Sequence, residues 1–301
     1  MRPRLGMLRS SAYQIGVALD PRLYPAAKGV DLYWYDSKRN FGDLLNPWLF
    51  KRLGFAPFRS SFAMADLIAI GSVLDAVTPG SSAIVWGSGM MYEESRPKAR
   101  LRYVGVRGHL TCAAIGRPAV EALGDPGLLV GQYVRRQKAR WPVGIVPHFT
   151  HHQSVVGALH LRGRGDDPVV IDVARHPSKV VAQIAQCGAI LSSSLHGLVV
   201  ADSLGIPAAW MMPEPVLSGG EFKFRDYQSV LFEDAGERLV DFDDFLKGLR
   251  IPFGTPRPEV LQDVVRRLAD STVALRELLP QREATPAGLV VSRHLHPKSF
   301  G

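Results

Sequence analysis

Residues 187–207, CGAILSSSLHGLVVADSLGIP, carry the pattern that decides the fold. Residues 188–191 form a short apolar run of the length a buried parallel strand uses, and the apolar spacing over 195–204 is helical. Gly205 suits the left-handed position just past a helix end, and Pro207 blocks continuation into a strand that begins at Ala208. The stretch is therefore a strand, a helix and a second strand. Ser192, Ser193, Ser194 and His196 fall on its strand-to-helix turn. In a parallel sheet that turn faces the ligand crevice, and a helix N-terminus offers unpaired N–H groups to an anion. The serines add hydroxyl donors, and histidine adds a proton carrier near neutral pH. The competing reading is a capping serine and a half-buried histidine with no chemistry.

Working outward, the same alternation recurs on both sides. Upstream, strands are expected at 31–35, 67–70, 83–86 and 103–106, with helices at 44–53 and from 109 through 115. Pro47 is expected in the first turn of the helix at 44–53. Glycines follow several strands, at Gly71, Gly87 and Gly108, where backbone turns sharply or approaches a ligand. Gly124 to Gly127 make a turn before 128–130, and 132–140 is basic and reads as an interdomain connection. A second series follows, with strands at 143–146 and 169–173 and a helix at 178–186. Strands alternating with helices on both sides of a connection predict an α/β protein of two Rossmann-like parallel-sheet domains facing a cleft. The expected division is 1–138, 139–255, and 256–301 for a terminal helix and tail. Within that last part, 258–279 is an amphipathic helix whose Val264, Leu268, Leu275 and Leu279 pack back across the domains. Residues 1–30 read as a loose lead-in and 283–301 as a disordered tail.

A chain of 301 residues favours two domains, and 46% hydrophobic with 21% charged residues describes a globular protein with sizeable cores. The basic start lacks the apolar core of a signal peptide, and no run of 18 apolar residues exists, so a cytoplasmic location is expected. Cys112 and Cys187 sit in apolar surroundings and read as reduced thiols. The formal charge of +8 implies an anionic partner: nucleic acid, a phosphorylated substrate or an acidic membrane surface. No helix-turn-helix, zinc-finger or aromatic-rich strand signature places the cations on a nucleic-acid groove, so nucleic acid is not expected.

Segments in a fixed order resemble the polysaccharide pyruvyltransferases, the bacterial exopolysaccharide ketal-pyruvate transferases. They are N-F-G-D-x-L-N at 40–46, G-S at 71–72, W-G-S-G at 86–89, V-R-G-x-L-T at 106–111 and G-D-P at 124–126. G-I-V-P-H-F at 144–149, I-D at 171–172, the serine turn with its helix at 192–207, and G-x-E-F-K-F-R-D-Y at 219–227 complete the set. The resemblance implies a glycosyltransferase-B-like domain pair. It further implies transfer of the pyruvyl group of phosphoenolpyruvate onto two sugar hydroxyls as a cyclic ketal. The acceptor is expected to be a hexose in a lipid-linked oligosaccharide at the inner membrane face. Neither a cofactor nor a metal is implied. Several members of the wider family have arginine directly before Leu-His-Gly, where this chain has Ser194. Another cation then has to hold the donor.

Phosphoenolpyruvate presents a phosphate and a carboxylate, for which guanidinium forks are well suited. Arg107 at a strand end, and Lys223 and Arg225 on a charged segment over 218–227 read as a loop, are the expected cleft cations. Protonating the enol methylene calls for an acid with pKa near the working pH, His196 or His148; taking protons from the hydroxyls suits a carboxylate, Asp43 or Glu221. Asp43 equally suits a helix cap. A zinc reading of His148, His151 and His152 is weaker, because adjacent residues diverge and no second ligand cluster stands at a familiar spacing. His294 and His296 are weaker still. Two other functions remain compatible: a sugar-nucleotide-dependent glycosyltransferase of the same architecture, and an anion-binding regulator without catalysis.

Overall fold

A computed structural model of the chain describes residues 28–163, 168–234 and 238–280. The tail at 283–301, with His294 and His296, and all but the last three residues of the expected lead-in lie outside these.

The first half is built from β1 (Lys28–Tyr33), α1 (Phe41–Arg52), β2 (Phe55–Arg59), β3 (Leu67–Ile68), β4 (Ile84–Trp86), β5 (Arg102–Val106), α2 (His109–Ala114) and β6 (Ala122–Leu123). Its six strands form one parallel sheet in the order β2-β1-β3-β4-β5-β6. The second half contains β7 (Trp141–Val146), α3 (His152–Leu161), β8 (Val169–Val170), α4 (Pro177–Ile184), β9 (Cys187–Ser192), α5 (Leu195–Ser203), β10 (Ala208–Met211), α6 (Phe222–Gln228), β11 (Leu239–Val240) and α7 (Phe242–Leu246). Its five strands, also parallel, run β8-β7-β9-β10-β11. Both sheets thus begin second-first-third. In an open parallel sheet the connections diverge to opposite faces at the first-third junction, which opens a crevice beyond the carboxyl ends of those two strands. The two crevices lie after β1 and β3 and after β7 and β9. Pro57 sits in β2, an edge strand, where the missing N–H costs no ladder bond on the open side.

The expected two-domain α/β architecture is what the chain adopts, with adjustments. The helix expected at 44–53 starts at Phe41, so Pro47 lies inside it rather than in its first turn. Proline has no N–H for the carbonyl of Asp43 four residues back. The Asn46 amide substitutes, donating to that carbonyl at 3.1 Å. The same buried side chain exchanges bonds with the backbone of Ile70, donating to its carbonyl at 2.8 Å and accepting from its N–H at 2.9 Å. The start of α1 is thereby tied to the end of the β3 segment. The segment after Gly127, expected as a continuation beyond a turn, is a 3-10 turn over Pro126–Gln132 that packs on α5. Residues 133–140 then run to the second sheet.

The terminal helix α8 (Pro258–Leu278) returns to the first half, packing on β5, β6 and the 3-10 turn. Val264, Leu268, Ser271 and Leu275 form its buried stripe, a spacing of four and three that keeps them on one face. Trp86 Nε1 donates to Ser271 Oγ at 2.8 Å, satisfying a buried indole N–H from β4. Both cysteines are free thiols, and burial pushes Cys187 up to about 12. Among the described residues no helix is long and apolar enough to cross a membrane.

Candidate active site

A cavity of about 540 Å³ lies between the two crevices, and its walls come from both halves. Tyr33 at the end of β1, Tyr35 just beyond it, and Ser72 after β3 belong to the first half; His148 after β7, and Ser194 and His196 after β9, belong to the second. Asn40 and Asp43 at the start of α1 and Lys223 on α6 complete the charged part.

Asp43 is placed by local chemistry. Asn40 caps α1, its Oδ1 accepting from Gly42 N at 3.3 Å, while its amide donates to Asp43 Oδ2 at 3.0 Å. Burial raises the Asp43 carboxyl to about 6, although His196 and the Asn40 bond both oppose the shift. A carboxyl in that range exchanges protons efficiently near neutral pH. Lys223 is 7% exposed. Burial, reinforced by the nearby Arg107 charge, lowers its ammonium to about 8. Lys38 enters the cavity wall, with its ammonium 5.0 Å from the Phe149 ring centroid. His196 opens α5 against α1: a Cβ on Gly42 would stand 2.8 Å from His196 Cγ and closer still to Nδ1. Only glycine at position 42 admits the ring there.

The expected acid His148 is placed in the cavity in a different state. Burial, then the charges of Lys223, His151 and Lys38, lowers it to about 3, so it is a neutral imidazole at neutral pH. It can accept or relay a hydrogen bond; an ordinary imidazolium acid it is not.

The serine turn divides its labour. Ser192 Oγ bonds Val146 O at 2.9 Å and Ser194 O at 2.7 Å, which closes the turn on β7. Ser193 Oγ accepts from His148 N at 3.0 Å and lies 2.9 Å from His151 Nδ1, while His151 Nε2 donates to Pro215 O at 2.8 Å. Both ring nitrogens of His151 are therefore engaged within the protein, which removes it as a metal ligand. Ser192 and Ser193 are fully buried, and of the three serines only Ser194 lines the cavity.

Besides Ser192 and Ser193, three more expected site residues lie outside the cavity. Arg107 is fully buried and does not line the cavity: its Nε donates to Asp226 Oδ2 at 2.8 Å, Nη2 to Met90 O at 2.7 Å, and Nη1 to Ser72 Oγ. Glu221 and Arg225 pair with each other at 2.8 Å on the exposed side of α6, away from the cavity. The 218–227 segment is mainly this helix, not a loop: Phe222, Phe224 and Tyr227 are core, Asp226 is buried on Arg107, and Lys223 alone of its charges reaches the cavity.

Sequence reading passed over Lys38 and Asp125. Lys38 sits two residues before the N-F-G-D segment, and Asp125 within G-D-P, so both lay beside motifs already singled out. The oxygen Oδ2 of Asp125 is 3.6 Å from His196 Nε2.

Two parallel-sheet domains with a cavity between them, lined by Asp43, His196, Lys38 and Lys223, define the class, an α/β protein with a polar, ligand-sized cleft. A model of the polysaccharide pyruvyl transferase family matches residues 15–215, and the chain belongs to that family. It is 28% identical over 270 residues to "Succinoglycan biosynthesis protein ExoV" of Rhizobium meliloti (strain 1021), covering 85% of this chain and 83% of that protein. It is also 30% identical over 171 residues to "Uncharacterized protein L143" of Acanthamoeba polyphaga mimivirus, covering 54% of this chain and 58% of that protein.

Proposed function

We propose that the chain moves the pyruvyl group of phosphoenolpyruvate onto two hydroxyls of one hexose, as a cyclic ketal, in exopolysaccharide biosynthesis. The observation that carries this is the meeting of Asp43, His196 and Lys223 in one cavity between the carboxyl ends of two parallel sheets.

The reaction balances as follows. The enol methylene takes a proton and becomes methyl, leaving a cationic carbon. A sugar hydroxyl adds to it and loses its proton; the bond from that carbon to the phosphate oxygen then breaks, and inorganic phosphate leaves. The second hydroxyl adds and loses its proton. Of the two hydroxyl protons, one balances the methyl and the other leaves with phosphate. Asp43 and His196 are the groups that give and take these protons, since each contacts the cavity and Asp43 titrates near neutrality. Lys223 and Lys38 hold the donor's anions, in place of the arginine that other members carry at the Ser194 position. Ser194 and Thr150 supply neutral donors. Tyr33 and Tyr35 offer aromatic faces to a sugar ring, so the acceptor falls mainly to residues 1–138 and the donor mainly to 139–255. The acceptor is a lipid-linked oligosaccharide, reached at the cytoplasmic membrane face.

The test is incubation with phosphoenolpyruvate and a panel of lipid-linked and synthetic glycosides. Phosphate release together with a product heavier by one pyruvate ketal supports the reading. Turnover of a sugar nucleotide instead, or binding of phosphoenolpyruvate with no turnover on any acceptor, overturns it.

A further inference from the structure

Asp125 and His196 come from different halves of the molecule, one from the turn after β6 and the other from the first turn of α5. Oxygen Oδ1 of Asp125 accepts from Gly127 N at 2.8 Å and caps the 3-10 turn. That cap needs one oxygen. The second, Oδ2, points at His196 Nε2 across 3.6 Å, and both atoms are buried with no hydrogen-bond partner among the described residues. Asp125 is 0% and His196 7% exposed. A carboxylate oxygen buried this way is costly unless a cation or an N–H faces it, and serine or asparagine would cap the turn as well. The surplus oxygen therefore points to a function beyond the cap.

The imidazole is also held on its other sides. Phe41 meets it edge-on, with centroids 6.5 Å apart and planes at 83°. Gly42 receives its Nδ1 edge, where any side chain would overlap the ring. The turn that bears Asp125 is fixed against α5, where a Cβ on Gly127 would stand 2.8 Å from Val199 Cγ1. Charged groups facing the ring are Asp125 from the 3-10 turn and Asp43 from α1; Lys223 of α6 and His148 after β7 stand on other walls of the same cavity.

We propose that Asp125 is a positioning residue for His196: its carboxylate receives the Nε2–H and fixes the imidazole in that tautomer, which leaves Nδ1, on the ring edge that lies over the open face of Gly42 next to Asp43, as the nitrogen with a free lone pair. This rests on the reading of His196 as an acid–base group. In the neutral ring Nδ1 is then the atom that accepts a hydroxyl proton, and the imidazolium so formed is stabilised by the buried carboxylate behind it. The proton leaves again from Nδ1, so the cycle closes on one atom. The logic is that of a buried carboxylate orienting a catalytic imidazole in hydrolases, with the two ring nitrogens exchanged.

The tautomer is directly measurable in the full-length protein without substrate, from long-range 1H–15N correlations of the histidine rings, with His196 assigned by its absence in His196→Gln. The wild type is expected to show the Nε2–H form. Asp125→Asn, which can present an amide N–H to Nε2, should switch it to Nδ1–H. Asp125→Ser, which keeps a cap oxygen, should fold with a near-normal melting temperature yet lose the preference for the Nε2–H form. In both variants the transfer rate should fall by about 10²–10⁴-fold with the Michaelis constant for phosphoenolpyruvate unchanged. A wild-type ring in the Nδ1–H form overturns the proposal, whether or not either variant folds. So does an unmoved tautomer in both variants. Because the spectra need no donor or acceptor, their result is independent of whether phosphoenolpyruvate is the substrate.

Discussion

Arg107 and Asp226 join the two halves of the molecule through a buried ion pair, Nε to Oδ2 at 2.8 Å, with neither side chain exposed. Asp226 also accepts from Thr111 N and Thr111 Oγ1, each at 2.7 Å, so its two oxygens bind the end of β5 and the start of α2 to α6. Removing one partner of such a pair leaves the other charged and unpaired, at a cost of about 3–5 kcal/mol. Arg107→Ala should accordingly lower the free energy of unfolding by that amount, read from denaturant melts, with transfer activity lost as the protein unfolds rather than through donor saturation. A variant of wild-type stability with a raised phosphoenolpyruvate constant would return Arg107 to the donor site.

Lys223 stands one helical turn before Asp226, so the pair also fixes where the cavity's buried ammonium sits. With its pKa lowered to about 8, Lys223 loses its charge as the pH rises through that value. The Michaelis constant for phosphoenolpyruvate should then climb above pH 8, approaching tenfold per unit. Lys223→Ala should raise it by about 10- to 150-fold at neutral pH, the loss of one charged hydrogen bond. Lys223→Arg keeps its charge at any accessible pH, so the alkaline rise should vanish in it. Persistence of that rise in the arginine variant would assign it to another group.

The parts of this chain that were legible are those where one physical signal acts locally. The unit Cys187–Ser192, Leu195–Ser203 and Ala208–Met211 was readable because buried parallel strands are short apolar runs and glycine and proline punctuate them. Helix α3 was not read at all; only Val155 and Leu159 of it are buried, too thin a stripe for periodicity to register. Helix α6 was misread because burying Lys223 and Asp226 among aromatics looks forbidden until their partners are known. Asp226 finds Arg107 at a separation of 119 residues, a distance over which spacing says nothing. The same long-range pairing took Arg107 out of the cavity. Asp43, His148, Ser194, Lys223 and His196 line the cavity because each lies at or near the carboxyl end of a strand, or in a segment that folds back over it.

Gly42 carries a prediction that separates packing from chemistry. Its φ needs no glycine, since it lies in a regular helix; the ring of His196 does. Gly42→Ala should favour α1 intrinsically, alanine being about 1 kcal/mol better than glycine within a helix. It should also push the imidazole off its seat, and displacing an acid–base group from its proton path costs up to its whole contribution, about 10²–10⁴-fold in rate. The expected result is a folded protein with little turnover, read from circular dichroism beside a transfer assay. Wild-type turnover in this variant would mean that His196 need not occupy the seat it has here.

Asp43 makes the sharpest link between stability and chemistry, because its carboxyl is raised to about 6 by burial. An unfolded aspartate titrates near about 3.9. Between these values the folded protein retains a proton that the unfolded chain has released, so stability falls as pH rises through the window and stays lower above it. A shift of about two units corresponds to about 3 kcal/mol. Asp43→Asn cannot ionise, and its carbonyl oxygen can still accept from the Asn40 amide, which bonds Asp43 Oδ2 at 3.0 Å in the wild type. The variant should therefore be more stable than the wild type at pH 8, with the difference shrinking toward pH 4. Other titrating groups are common to both proteins and largely cancel in the difference. At the same time transfer should drop by about 10²–10⁴-fold, the usual exchange of stability for activity at a strained site. Melting temperatures of the two proteins at matched ionic strength across this range check the claim. A stability difference that does not change with pH would place the Asp43 titration outside the window and remove it as the neutral-pH proton carrier.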